Sequence, residues 1–405
     1  MEEVSKLIPT PSVIRNILTL RYDPSQKPLL PQVTWKSFGT FETPSSDYIQ
    51  KSIKDYLRKK IDDQNIKSVA IALSGGIDST LILTLLKKTF PDLTIEAISI
   101  KFAESIDESE QAAKIADHFG VNQHVVFVEN YLKELPKAIS IIKLPFWDLH
   151  WYYVVKKAQQ LSKFLASGDG GDELFGGYTF RYKKFLSLTR PESTPLEKVN
   201  AYLQCHERDR VPDQNTIFDK KAEFSWNAIY EILIPYFDNP LSLLDQVFLA
   251  DYNGKLMYNF SPVNTAIHDY FKIESIAPIL SEELISYAFH LPNHCKYDQN
   301  KNLGKLLLRD ILNKHDMSSF MTEEKQGFNV NTLNLWKSHG KELCKYYLSD
   351  SRIVREGWIN KNWIEQYIDR DDMDVRYVNK FLGLLAFEIW YRIFVTKEMK
   401  SDTTL

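Results

Sequence analysis

The sequence predicts an α/β fold: a parallel sheet with helices on both faces, followed by a mostly helical C-terminal region. Three observations carry this. Between about residues 46 and 185, short apolar runs alternate with helix-period segments, the pattern of a parallel sheet covered on both faces. Two of those runs pass directly into Ser-Gly turns, "LSGGIDST" at 73–80 and "SGDGGDELFGGY" at 167–178. Beyond about residue 185 the apolar spacing is that of helices, as in "LLDQVFLADYNGKLMY", "SEELISYAFHL" and "KFLGLLAFEIWYRIF".

Taken in order, residues 1–45 hold six prolines and read as an irregular arm laid over the rest of the chain. "SSDYIQKSIKDYLRKKI" reads as a helix with Ser46 or Asp47 as N-cap and Tyr48, Ile49, Ile53, Tyr56 and Leu57 on one face. Val69–Leu73 is the first strand and "LILTLLKK" the helix after its glycine turn. "TIEAISIKF" is a second strand, "DESEQAAKIADHFG" a helix ending at Gly120, and "NQHVVFV" a third strand. "WYYVVKKAQQLS" gives another helix, and "KFLAS" a fourth strand that runs into the second glycine cluster. The chain therefore divides into the arm (1–45), an α/β domain (46–185) and a helical region (186–405).

Composition narrows the function. With 50 Lys+Arg against 53 Asp+Glu the formal charge is −3, without a basic excess, which argues against a nucleic-acid binder. No apolar run is long enough to span a membrane, and the acidic, prolyl start "MEEVSKLIPTPS" is unlike a secretion signal. Three widely spaced cysteines suggest neither a disulfide frame nor a zinc site. The expectation is a soluble, cytoplasmic protein.

The chemistry concentrates in the glycines. Seven of 15 fall in the two turns, at 75, 76, 168, 170, 171, 176 and 177. In a parallel sheet, ligands bind beyond the carboxyl ends of the strands, so two such loops can line one crevice. "LSGGIDST" offers backbone N–H groups and the hydroxyls of Ser74 and Ser79 at a helix N-terminus, which suits a phosphate or pyrophosphate. Asp78 fits beside phosphate only with a cation between them. Asp169, Asp172 and Glu173 in the second loop supply acids of the kind that hold nucleotide-bound Mg²⁺. The kinase-type motif G-x-x-x-x-G-K-[ST] is absent from the sequence.

"LSGGIDST" resembles the pyrophosphate loop of the ATP pyrophosphatase (PP-loop) family. "SGDGGDELFGGY" narrows the resemblance to the synthetase domain of glutamine-dependent asparagine synthetases. "SIKFAESIDESEQAAKIADHFG", "IESIAPILSEELISYAFHLP", "GKLLLRDIL" and "EKQGFNV" continue it over roughly residues 46–345. The resemblance implies ATP and Mg²⁺, adenylation of a carboxylate with release of pyrophosphate, then attack by a nitrogen nucleophile. It implies that Ser74, Gly75, Gly76 and Ser79 hold pyrophosphate and that Asp78 and Asp172 hold Mg²⁺. Leu73, Ile100, Ser167 and Gly168 would contact the adenosine. Lys325 would stabilise charge at the α-phosphate or the tetrahedral intermediate, and Lys305 would touch phosphate. Asp169 or Glu274 would take the proton from the attacking nitrogen.

The sequence departs from that family in two ways. Met1 is followed by Glu2 and no cysteine lies near the start, so glutamine hydrolysis through the family's N-terminal cysteine is not expected. Ammonia would be free or come from a separate glutaminase subunit, or the substrate would carry its own amine. A homodimer also stays open. On the substrate side, Ile276 stands where the family has arginine and Ser281 where it has an acid. Lys143 and Leu144 replace an acidic neighbourhood, and "VNTA" at 263–266 replaces a basic feature. Isoleucine cannot make arginine's charge-assisted bond to a carboxylate. Aspartate is the default substrate. A different carboxylate, such as a β-amino acid or a peptide side chain, is the alternative, and a non-catalytic nucleotide-binding regulator the second. tRNA thiolation would want reactive cysteines or a basic surface, and the sequence offers neither.

Overall fold

The computed structural model describes residues 7–39, 43–105, 107, 109–321 and 330–405. Its centre is a five-stranded, wholly parallel sheet in the order β3-β2-β1-β4-β5. The strands are β1 (Ser68–Ala72), β2 (Thr94–Phe102), β3 (Asn122–Val128), β4 (Phe164–Ala166) and β5 (Glu274–Ile276). The expected second and third strands coincide with β2 and β3 to the residue. In β1, alternate side chains serve opposite faces: Val69, Ile71 and the following Leu73 join one apolar cluster, Ala70 and Ala72 the other.

On the first face lie α2 (Ser46–Asp63), α3 (Ile77–Thr89) and α4 (Ser109–His118). Helix α2 buries Ile49, Ile53 and Leu57 completely. Its N-cap is Ser45, one residue ahead of the expectation, with the Ser45 hydroxyl accepting from Tyr48 N–H. Tyr48, expected on the buried face, is 40% exposed; it stacks on Tyr287 with centroids 4.3 Å apart and donates its hydroxyl to Glu283. Helices α5 (Leu135–Ile142) and α6 (His150–Ala158) cover the second face, together with the helices Ser261–Phe271 and Val375–Phe394.

Two expectations need correction. The arm is not wholly irregular: it contains α1 (Pro11–Leu20), started by Thr10, whose hydroxyl accepts from Val13 N–H, with proline in the first turn. Ile14, Ile17 and Leu18 bury the helix in the second cluster. Gln214 and the Lys380 ammonium both donate to Leu18 O, and Asn259 donates to Arg21 O at 2.6 Å. These bonds satisfy carbonyls that a helix end leaves orphaned. The sheet also crosses the boundary drawn at residue 185. β5 comes from the helical region and pairs with β4 through Phe164↔Glu274, Leu165↔Ser275 and Ala166↔Ile276.

Because Ile17 is only 3% exposed, Ile17→Ala is expected to cost about 3 kcal/mol of unfolding free energy by the usual cavity penalty. Urea denaturation followed by circular dichroism measures it; a loss below ~1 kcal/mol would mean that the arm is not part of the core.

Candidate active site

The chain runs β1 to β2 to β3 on one side of β1, then returns to build β4 and β5 on the other. The strand order therefore reverses between β1 and β4, where loops leaving adjacent carboxyl ends open a crevice. Both glycine turns leave from these two strands. Their adjacency follows from the register Ile71↔Ala166.

The first turn is built as a nest. Gly75 takes φ 79°, the left-handed region glycine enters freely. Ser74 Oγ accepts from Gly76 N–H at 3.3 Å and lies 3.2 Å from Ser79 Oγ, which accepts from Ser74 N–H. The two hydroxyls and the backbone amides thus gather at the N-terminus of α3. The side chains of Leu73 and Ile100 are buried on opposite faces of the sheet, Leu73 in the first apolar cluster and Ile100 in the second. The Leu73 backbone is tied by Leu73 N–H to Ile98 O and by Ser99 Oγ–H to Leu73 O.

The second turn closes directly over the first. A β-carbon on Gly171 would lie 2.3 Å from Asp78 Cγ, and one on Gly177 would lie 1.8 Å from Asp172 Oδ1. The glycines are therefore spent on carboxylates of the protein itself, which they let approach their backbone. Between these carboxylates lies the ammonium of Lys305, 2.5 Å from Asp78 Oδ2 and 2.7 Å from Asp172 Oδ1. All three side chains are largely buried, with 12–18% exposure. The two carboxylates hold the Lys305 ammonium well above its ordinary pKa, outweighing the burial that opposes its charge. Sequence reasoning had placed Lys305 only against phosphate; its place among the acids was not foreseen.

Asp78 and Asp172, from different loops, thus share one cation position, which fits their expected role as Mg²⁺ ligands. Among the described residues no group of three or more His, Cys, Asp or Glu side chains converges. A magnesium ion held by two carboxylates takes its remaining oxygens from phosphate and water.

Asp169 lies beside this pair. Burial pushes its carboxyl up to about 6, and the Asp78 charge adds to the rise. The neighbouring Ser167 hydroxyl and the Asn264 amide, which donates to Asp169 Oδ2 at 3.2 Å, pull the other way. Such a carboxyl gains and loses its proton near neutrality. Ser167 itself is anchored by Ser167 N–H to Ile276 O at 3.0 Å, and Gly168 packs against Asp78. Asn264 had stood out only as part of the anomalous "VNTA"; here it is a partner of the best-placed acid.

Glu274 is the correction within the site. It is the first residue of β5, in register with the first residue of β4, so it lies away from the carboxyl edge where the loops meet. Its carboxylate is 53% exposed and pairs with Lys60 Nζ at 3.2 Å. Lys325 lies outside the described residues. The sequence also gave no warning of the staple behind Asp172: Tyr178 donates its hydroxyl to Glu173 at 2.5 Å, and Arg181 stacks on the Tyr178 ring at 4.0 Å.

The chain is 23% identical over 398 residues to asparagine synthetase (glutamine-hydrolyzing) 1 of Bacillus subtilis (strain 168), matching 88% of this chain and 61% of that relative. It thus spans about three fifths of that relative's length. It is 26% identical over 149 residues to the NH(3)-dependent NAD(+) synthetase of Carboxydothermus hydrogenoformans, covering 31% of this chain and 61% of that one. Among solved structures it matches an NMN synthetase from Francisella tularensis at 13% identity and a TM-score of 0.27, over 56% of this chain and 94% of that one. The asparagine synthase family model matches residues 49–392. The protein belongs to the asparagine synthase family.

Proposed function

We propose that the protein is an ATP-dependent, AMP- and pyrophosphate-forming amide ligase of the asparagine synthetase type. The observation that carries this reading is the convergence of Asp78 and Asp172 on one cation position, beside the Ser74–Ser79 nest. In the first step a substrate carboxylate oxygen attacks the α-phosphorus of ATP, and the bond to the β-phosphate oxygen breaks, releasing pyrophosphate. Ser74, Gly75, Gly76 and Ser79 receive that leaving group. Asp78 and Asp172 would hold Mg²⁺, which would supply charge neutralisation for the leaving pyrophosphate. In the second step a neutral nitrogen attacks the acyl carbon of the adenylate, a proton passes from nitrogen to Asp169, and AMP leaves. The nitrogen is free ammonia, ammonia from a partner glutaminase subunit, or an amine on the substrate. Lys325 takes its role from the family resemblance alone, as a stabiliser of α-phosphate charge.

A second reading shares the chemistry and changes the acid: a ligase or cyclase for a carboxylate other than aspartate. Ile276, fully buried, stands at the position of the family's arginine. Ser281, at the position of its acid, caps the helix Glu282–His290 by accepting from Leu284 N–H. Asn264 meets Asp169 with a neutral amide. These side chains offer an α-carboxylate no cation.

The test is pyrophosphate release from Mg²⁺ and ATP in the presence of ammonium and a panel of carboxylates, aspartate first. Asp172→Asn is expected to abolish release while leaving the circular dichroism spectrum unchanged; undiminished release would remove Asp172 from the metal site. Asp169→Asn is expected to keep carboxylate-dependent ATP–pyrophosphate exchange and to slow amide formation at least ~100-fold. In the wild type, amide formation falls as pH drops through about 6, where Asp169 takes up its proton.

The same group shapes stability. Its pKa is raised from 3.8 to about 6 on folding, so its contribution to stability is fully present below pH 3.8 and is lost as pH rises through 6. Asp169→Asn is therefore expected to be more stable than the wild type at pH 7, by on the order of 2 kcal/mol, with the gap closing near pH 4. Thermal melts across that range measure it, and a gap that does not change with pH would contradict the assignment.

A further inference from the structure

The backbone around Lys305 is arranged for the sake of its ammonium. Lys305 takes φ 58° and ψ 36°, a left-handed conformation that costs a residue with a β-carbon and costs glycine little. Its N–H donates to Phe175 O at 3.0 Å, which pins it to α7 (Gly171–Phe175), the short helix that carries Asp172. On its other side, Gly304 is pressed so tightly on Gly176 that a β-carbon there would lie 2.0 Å from the Gly176 carbonyl oxygen. Lys305 Cε passes over Gly177, within 2.5 Å of where a β-carbon would stand. A strained backbone, two close glycine contacts and a peptide hydrogen bond thus all deliver one charge to a point between Asp78 and Asp172.

An ammonium and a divalent cation cannot both sit on those two carboxylate oxygens. At a separation of a few ångströms in a buried site their repulsion is strong. We propose that Lys305 is the resident counter-ion of the Asp78–Asp172 pair, displaced when the metal arrives with its nucleotide and released onto the nucleotide's phosphate oxygens. The inference rests on reading Asp78 and Asp172 as metal ligands. In the resting protein the lysine keeps the two loops in register and bars a free divalent cation. The negative phosphates of the nucleotide then tip the exchange, because they offer the ammonium a second anionic partner at the moment the carboxylates are taken from it. Metal binding is thereby coupled to nucleotide binding, so free Mg²⁺ does not occupy the site by itself.

The experiment titrates Mn²⁺ into the full-length, nucleotide-free protein and follows the free Mn²⁺ signal by electron paramagnetic resonance, with Mg²⁺ as competitor. Lys305→Met is expected to bind Mn²⁺ at least tenfold more tightly than the wild type. The gain should vanish when Asp172→Asn is added. The melting temperature of Lys305→Met should rise with Mg²⁺ while that of the wild type stays nearly constant. Lys305→Gly, which relieves the left-handed strain, is the companion variant should the methionine not fold, and the same gain is expected of it. Equal or weaker Mn²⁺ binding by a folded Lys305 variant overturns the proposal. A parallel titration with a non-hydrolysable ATP analogue separates the two readings. If the wild type then binds Mn²⁺ and Asp172→Asn does not, the metal assignment stands and a missing gain counts against Lys305 alone. If Asp172→Asn binds Mn²⁺ as the wild type does, the metal assignment itself fails.

Discussion

Two buried carboxylates brought within reach of the Lys305 ammonium constrain the rest of this structure. Asp78 belongs to the helix after β1, and Asp172 to the short helix after β4. Like charges in a low-dielectric setting repel unless a cation stands between them. Their approach becomes possible because β1 and β4 are neighbours at the point where the strand order reverses, and because Gly171 and Gly177 present bare backbone to the carboxylates. The glycine density of residues 165–178 thus has a mechanical cause. A side chain at either position would push the acids apart and dissolve the cation position that the Lys305 ammonium occupies.

From that constraint the surrounding architecture follows. The third member of the cluster, Lys305, comes from the start of the helix Leu306–Lys314, which packs on α2 and α3 in the first apolar cluster. Asn264, which meets Asp169, comes from the helix Ser261–Phe271, which packs on α5 and α6 in the second. The helical part of the chain is therefore not an appendage on an ATP-binding unit. It supplies a fifth strand, the Lys305 ammonium and the Asn264 amide beside Asp169. The arm adds to this by burying α1 against the second cluster, where the Leu18 carbonyl in its last turn accepts from both Gln214 and Lys380.

What the sequence disclosed and what it hid have physical reasons. β2 and β3 were legible because each is one unbroken β-rich run between turn signals. The two glycine turns were legible because glycine is scarce elsewhere in the chain. Helix α1 was hidden by prolines: "TPSVIRNILTL" carries an N-cap threonine, a first-turn proline and apolar residues at helical spacing, but neighbouring prolines made the whole arm look irregular. β5 was hidden because three residues are too few to show a period. That omission also misled the reading of Glu274. With no strand drawn there, nothing told that the residue opens β5 and that the strand's other end is the one facing the loops. Lys305 was undervalued because its partners lie 227 and 133 positions away in the chain, through contacts that no local pattern encodes.

The substrate side of the crevice follows a different rule from the ATP side. Where the family's pattern calls for charge, this chain has placed residues with structural work to do: Ile276 fills the core and lends its carbonyl to Ser167, and Ser281 caps a helix. Lys143 adopts a left-handed conformation to end α5 and gives its carbonyl to the Trp390 indole N–H. A side chain committed to packing or capping is not available to pair with a ligand. Asn264 is the exception, since its amide reaches Asp169 and can do so with either proton state of that acid. A neutral partner leaves the proton affinity of Asp169 to be set by burial. Burial and the Asp78 charge raise it, and the neutral Ser167 and Asn264 groups oppose that rise only in part. Ile276, Ser281 and Asn264 bring no positive charge to this side of the crevice, so under the proposed reading the same neutral side chains that leave Asp169 raised also leave an amino acid's α-carboxylate without a partner from them.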